Sequence, residues 1–462
     1  MSKKMPVGKA IKFNPSESII NGSIAKKIPM GVLTEFQRKI SGFEYSEYNN
    51  GPKFRNGDTV VAKITPCLEN GKTAFVDILD DNEIAFGSSE FIVLRKTEYT
   101  VSEFIYYFAR SPLFRERAIN CMEGTSGRKR VNENTLKNLE FVFPDLTTQK
   151  SIAKVLSDLD TKIELNNRIN RELEAMAKML YDYWFVQFDF PNPSTSSGQA
   201  GKPYKSSGGK MVYNAELKRE IPEGWEAGNL EDIGTIIGGS TPSKENSEYF
   251  SYRESTPWIT PKDLSMNKGN KFITRGEFDV TLSGIKTASL KIMPKGTVLL
   301  SSRAPIGYLA ISREKVTTNQ GFKSFVPDKG FSTYFIFYTV QKMIPTIINN
   351  AVGSTFKEVS GTTLKSIKIP IPVKSILKVF DEKLSSIFKR QDLLELENQQ
   401  LSELRDWLLP RLMNGQVVST GSTTLKEAEE RLNSSTVRPL CGVEGSRSMA
   451  AEPQEKYNTK SN

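Results

Sequence analysis

Between Pro144 and Pro191 the chain has neither glycine nor proline, and its apolar positions fall four and three apart. Ile152, Leu156, Leu159, Ile163, Asn166, Asn170, Leu173, Ala177, Leu180 and Trp184 occupy that stripe. The spacing is a heptad seam and predicts a long helix that packs along another helix. A second stretch after Pro372 offers Leu377, Phe380, Leu384, Ile387, Leu394, Leu401 and Leu408, and Pro410 is expected to stop it. Each helix should run for roughly 35–40 residues, or about 55 Å. Asn166 and Asn170 would sit inside the seam, where buried amides fix register at some cost in stability.

Ahead of each helix the pattern changes to short β-branched and aromatic runs. Thr59–Ile64 and Thr297–Leu300 follow glycine turns, and Glu90–Leu94 and Phe322–Val326 read as further strands. Helical stretches are expected at 102–110 and 332–344. The similarity is internal duplication. Gly57 to Pro66 matches Gly296 to Pro305 at an offset of 239, Thr135-Leu136-Lys137 matches Thr363-Leu364-Lys365 at 228, and Lys150–Val155 matches Lys374–Val379 at 224. Trp184 matches Trp407 at 223. Matches in one order with a slowly drifting offset make this a unit stated twice. The fold class expected is α+β: two mixed α/β domains and two long helices pairing as an antiparallel coiled coil, with an internal pseudo-two-fold repeat. The boundaries are a first domain at 1–144, a central helix at 145–190, a flexible Ser/Gly-rich linker at 191–212, a second domain at 213–372, a distal helix at 373–418 and a disordered tail at 419–462.

Composition narrows the chemistry. Lys and Arg number 63 against 53 Asp and Glu, a formal net charge of +10, which suits a polyanionic partner. No histidine occurs, which removes Ser-His-Asp and Cys-His nucleophiles, His-ligated zinc and imidazole acid–base catalysis. Cys67, Cys121 and Cys441 are far apart, so neither a zinc site nor a disulfide framework is expected, and a reducing cytoplasm is the natural setting. No run approaches the ~20 apolar residues of a membrane span. Asn70-Gly71-Lys72-Thr73 imitates the end of a phosphate loop, but Pro66 stands where the required glycine would be. No catalytic residues and no metal ligands are expected in the chain.

Three segments then resemble a known family. They are Gln149–Ala153 with Leu156–Asn166, Tyr183–Pro191, and the opening Glu220-Ile221-Pro222-Glu223-Gly224-Trp225. With Trp258–Leu264 and Thr318–Phe322, they look like the specificity subunit of a type I restriction-modification system. The resemblance implies two target recognition domains that each read half of a bipartite site in double-stranded DNA, with the helix pair as spacer. It also implies two modification (methyltransferase) subunits and restriction (motor-nuclease) subunits as partners. S-adenosylmethionine, ATP and magnesium would then sit on those partners, with no cofactor in this chain. At an offset of 239, the counterpart of Trp225 would precede Met1, so the first domain is expected to be shortened at its N-terminus.

Candidate DNA contacts follow from residue type and repeat position. Arg128, Lys129 and Arg130 follow Gly124-Thr125-Ser126-Gly127, and Lys357 follows Gly353-Ser354-Thr355-Phe356 in the second unit. Lys63 and Arg303 are expected at one repeat position before the paired prolines, suited to guanine. Asn319 and Gln320 could grip an adenine edge, although Asn319-Gln320-Gly321 reads at least as well as a turn whose amides bond backbone. Met176, Met179, Tyr181, Tyr183 and Phe185 lie off the helical seam and are expected to need cover, from a modification subunit or from the adjacent domain. The rival readings are a coiled-coil scaffold that does not bind DNA, and a metal-dependent nuclease or methyltransferase acting alone. Salt-dependent duplex binding separates the first, and activity of the isolated chain with magnesium and a methyl donor separates the second.

Overall fold

Thr59–Ala62 and Val298–Leu300, the β-branched runs, are fully buried strands in the middle of two sheets. The glycines ahead of them, Gly57 and Gly296, turn at φ of 89° and 84°, a left-handed conformation that a Cβ disfavours. The computed structural model describes residues 2–125, 127–192, 200–303, 305–353 and 357–415. The tail expected at 419–462, with Cys441, lies outside the described residues, as do Ser126 and Ser354–Phe356 of the two glycine loops.

The described residues divide into two compact units: residues 2–157 with 406–415, and residues 158–405. Each long helix is therefore shared between units, which differs from the expected partition into separate domains and helices. In the first unit the main sheet runs Ile11–Phe13, Phe91–Lys96, Thr59–Ala62, Thr73–Phe75, all antiparallel. In the second it runs Thr235–Gly238, Lys323–Val326, Val298–Leu300, Leu309–Ser312, again antiparallel. A fifth strand, Phe272–Ile273, is then added in parallel. A smaller four-stranded sheet with one parallel pair accompanies each, pairing Ile24–Ile28 with Ala85–Gly87 and Thr256–Ile259 with Thr317–Thr318. The helices Ser102–Arg110 and Thr333–Asn349 pack on the main sheets.

Two expectations about the ends of these domains need correction. Lys3–Pro6 pairs with Glu140–Phe143 as Glu226–Asn229 pairs with Lys368–Ile371. Lys3 thus corresponds to Glu226 at an offset of 223, and the strand that follows Trp225 has its counterpart in the first domain. The offset of 239 holds only around Gly57, because the second domain has extra residues ahead of Gly296. The Ser/Gly-rich stretch expected to be a flexible linker is also folded where it is described. Tyr204 stacks on Phe190 with ring centroids 4.7 Å apart, the Asp189 carboxylate accepts from the Ser206 amide and hydroxyl at 2.7 and 2.6 Å, and Met211–Asn214 pairs with Arg219–Pro222. One aromatic anchors a segment whose composition alone reads as linker; Pro193–Gln199 lies outside the described residues.

The central helix spans Leu146–Tyr181 and continues as a π-helical turn to Val186. Its start is tied to the first domain through the buried Gln149, whose Nε2 donates to the Tyr99 and Pro144 carbonyls while its Oε1 accepts from the Val101 amide. The distal helix spans Lys374–Met413. Pro410 lies inside its last turn and does not stop it, and the chain turns away at Gly415, with φ 68°.

Within the second unit the helices meet through polar groups set among leucines. The Asn166 amide donates to Glu397 Oε2 at 2.9 Å and Asn398 Oδ1 at 3.0 Å, and Asn398 Nδ2 donates to Asn167 at 2.8 Å. Gln391 Nε2 donates to the Asn170 carbonyl and to Glu174, while Arg405 pairs with Asp160 at 2.7 Å, both side chains buried. As one residue number rises the other falls, so along this stretch the helices run in opposite directions. Of the leucines predicted for the seam, Leu156, Leu159, Leu377, Leu384, Leu394, Leu401 and Leu408 are buried, while Leu173 and Leu180 are partly exposed.

Removing one partner of a buried ion pair weakens the hold on the charge that remains in a poor solvent for it. Asp160→Ala is therefore expected to destabilise the second unit by about 3–5 kcal/mol. Urea unfolding followed by far-ultraviolet circular dichroism checks this, and an unchanged midpoint would contradict the pairing.

Candidate nucleic-acid interface

In both domains the glycine loop sits on a hairpin fastened to the end of the central strand. In the first, Met122–Glu123 pairs with Arg130–Val131, with 124–125 and 127–129 in the loop. Val131 donates its amide to the Lys63 carbonyl at 2.9 Å, and Thr65 donates to the Lys129 carbonyl at 3.1 Å. In the second, Val352 and Glu358 exchange backbone hydrogen bonds of 3.0 and 2.9 Å, and Val359 donates to the Ser302 carbonyl at 3.1 Å. Glycines at the loop entrances, Gly124 and Gly353, hold φ of 118° and 125°. The equivalence corrects one register. Lys63 corresponds to Ser302, and Ile64 to Arg303, so Lys63 and Arg303 are not at one repeat position. The structural pairing settles this where counting back from the prolines was off by one.

The cations predicted to contact DNA fall into two classes. Lys63 pairs with Glu133 at 3.1 Å, and Arg130 grips Glu90 through two nitrogens, the closest contact being 2.7 Å. That pairing raises the Arg130 pKa further and lowers that of Glu90, chiefly through the shared hydrogen bonds. Arg303 lies 3.5 Å from Glu358. These three cations are already matched by carboxylates of their own domain. Arg128, Lys129 and Lys357 are exposed at the hairpin tips, and among the described residues no side-chain ion pair engages them. A tip cation without an internal partner is the better phosphate ligand, because no pair must be broken first.

Asn319 adopts the turn reading: its Oδ1 accepts from the Gly321 amide at 3.0 Å, while the exposed Gln320 accepts from the Thr241 hydroxyl. Tyr252 and Arg253 went unnoticed in the sequence. They occupy an exposed turn in the second domain, with Arg253 at φ 59° and its guanidinium 5.6 Å from the Tyr252 ring. Nothing in a polar stretch marks such a turn until its strands, Phe250–Ser251 and Thr256–Ile259, are seen to flank it. Among the described residues there is no cluster of carboxylates or cysteines that could hold a metal, and no helix long and apolar enough to cross a membrane.

The five residues expected to dock a partner also divide. Tyr181 and Phe185 are buried, so they are covered within this chain and take no part in a partner-docking surface. Phe185 packs edge-on to Phe380 and Phe335, with centroids 4.7 and 5.0 Å apart, and the Tyr181 hydroxyl donates to Thr339 at 3.1 Å. The adjacent domain is their cover. Burial pushes the Tyr181 phenol well above its ordinary value. Met176 and Met179 remain largely exposed, and Tyr183 partly so.

Comparison with known proteins places these features in a family. A family model described as the type I restriction modification DNA specificity domain matches residues 2–175 and again 222–406. The chain is 29% identical over 416 residues to the specificity subunit of the type I restriction enzyme HindI from Haemophilus influenzae, covering 79% of this chain and 87% of that one. It is 40% identical over 199 residues to the MjaIX specificity subunit of Methanocaldococcus jannaschii, covering 40% and 45% of the two chains. In fold it is similar to the crystal structure of a type I restriction-modification S subunit from M. genitalium, with a TM-score of 0.54, 16% identity, and 89% and 96% coverage.

The split between matched and free cations carries a measurable consequence. Replacing Arg128 and Lys129 together by Ala is expected to flatten the salt dependence of duplex binding by about one unit of slope per lost phosphate contact. Replacing Lys63, which already has Glu133, is expected to alter the slope less. Fluorescence anisotropy across a salt series reads both, and equal effects would contradict the distinction.

Proposed function

The chain belongs to the type I restriction-modification DNA specificity family, and on that premise we propose that its two domains each read one half of a bipartite duplex site. The chain is a specificity subunit, and catalysis lies in its partners. The carrying observation is the repeated topology, with a basic hairpin mounted at the same place in each domain. Two equivalent readers on one chain suit an asymmetric target in two parts better than a single continuous one. The long helices act as an antiparallel coiled coil between them. The opposed contacts of Asn166, Gln391 and Arg405 support that reading, since buried amides and a buried ion pair tolerate few alternative registers.

Hairpin-tip cations hold phosphates and orient each domain, and residues near the tips read base edges. For the first domain these are Arg128 and Lys129; for the second, Lys357, with Arg303 and Gln320 nearby in the fold of the same domain. Two modification subunits dock on the chain, and restriction subunits join them. The exposed Met176, Met179 and Tyr183 offer apolar area for one of these contacts. S-adenosylmethionine, ATP and magnesium are held by those partners, and the complex works in the cytoplasm.

Mapping methylated positions genome-wide in cells with and without this gene tests the proposal directly. A two-part motif present only with the gene is expected, and its absence would return the chain to the status of a scaffold. Lys357→Ala is expected to weaken recognition of one half of that motif and leave the other intact. Native mass measurement of the complex is expected to give two modification subunits per chain, and one subunit at saturation would contradict the docking scheme.

A further inference from the structure

The fifth strand of the second domain, Phe272–Ile273, has no counterpart among the described residues of the first, and it carries an unusual load of buried charge. Lys271, at its entrance, is buried, with Nζ 2.5 Å from Glu174 on the central helix and 2.8 Å from both Gln391 on the distal helix and the Tyr338 hydroxyl. Its ammonium also lies 3.9 Å from the centre of the Phe388 ring. The amides of Lys271 and Phe272 donate to the two carboxylate oxygens of Glu395 at 2.7 and 3.1 Å. Arg313, on the neighbouring strand's exit, pairs with Glu395 at 2.9 Å and Asp392 at 2.5 Å. One short strand is thus held to both long helices by five charged side chains.

We propose that Lys271, with Glu174, Glu395 and Arg313, forms a positioning clamp that locks the second domain in one orientation on the helix pair and thereby sets the spacing between half-sites that the complex accepts. The proposal rests on the bipartite reading above. An apolar contact of the same area could slide along a helix at small cost, since any neighbouring leucine would serve. A charged one cannot. A shift of one residue along either helix would leave Lys271 or Glu395 buried without its partner, a state that proteins avoid. Burial already pushes the Lys271 ammonium down and the Glu395 carboxyl up to about 7, so each depends on the groups that surround it. The groups facing the clamp are Glu174 from the central helix, Gln391, Asp392 and Glu395 from the distal helix, and Tyr338 and Arg313 from the domain itself.

The test uses the chain in complex with its modification subunits, and duplexes carrying the mapped target with native spacing or with one base pair added or removed. Wild type is expected to reject the altered spacings. Lys271→Met and Glu174→Gln are each expected to weaken that rejection by about tenfold, with the recognised bases unchanged, because spacing is read through the clamp and bases are not. A merely structural role would lower methylation at every spacing alike, and that result, or unchanged discrimination, overturns the clamp. Should Lys271→Met fail to fold, the half-exposed Glu174→Gln decides by the same reading. A wild-type complex indifferent to spacing would instead overturn the bipartite reading, and the clamp with it.

Discussion

Everything in the second unit depends on polar groups buried between the two long helices. Leucines alone would hold the helices together without choosing how they meet, since a leucine seam packs nearly as well when shifted by a heptad. Asn166 against Glu397 and Asn398, and Asp160 against Arg405, remove that freedom. Each pairing is weak evidence for stability, because desolvating its members offsets much of what they gain. Its worth lies in the alternatives it penalises. Among the described residues the Asn166 and Asn170 side-chain oxygens have no donor, so these amides hold position without being fully satisfied there.

The same logic recurs where the second domain meets the helices. Tyr181 and Phe185 supply apolar area against Phe335 and Phe380, while Lys271 and Arg313 supply direction. In the first unit the corresponding helix, Ser102–Arg110, ends in the buried Arg110, whose guanidinium reaches Asp406 at 2.8 Å. Each domain therefore holds the start of one long helix and a stretch of the other.

Electrostatics at the hairpins sharpen this picture. A net charge of +10 describes the whole chain, yet Lys63, Arg130 and Arg303 are already paired within their own domains. Pairing with Glu133, Glu90 and Glu358 keeps Lys63, Arg130 and Arg303 from acting as general phosphate ligands. In the proposed reading the phosphate contacts therefore fall to the tips, and the matched cations serve only a base or phosphate that can compete with a carboxylate.

The heptad stripe, the duplicated strand–helix pattern and the lack of histidine were all legible in the chain, because each depends on residues close together or on counts. Periodicity of 3.5 places side chains on one face whatever the helix meets, and a repeat needs no third dimension to be noticed. The match of Lys3–Pro6 to Glu226–Asn229 was not legible, because offsets drift wherever one copy gains residues and only hydrogen-bonded register shows where the gain lies. The state of each cation was decided by tertiary structure alone. Arg130 and Glu90 are 40 residues apart, and Lys63 and Glu133 are 70 apart. An ion pair across such a distance belongs to the fold, since the chain must be closed into its sheets before either charge can feel the other.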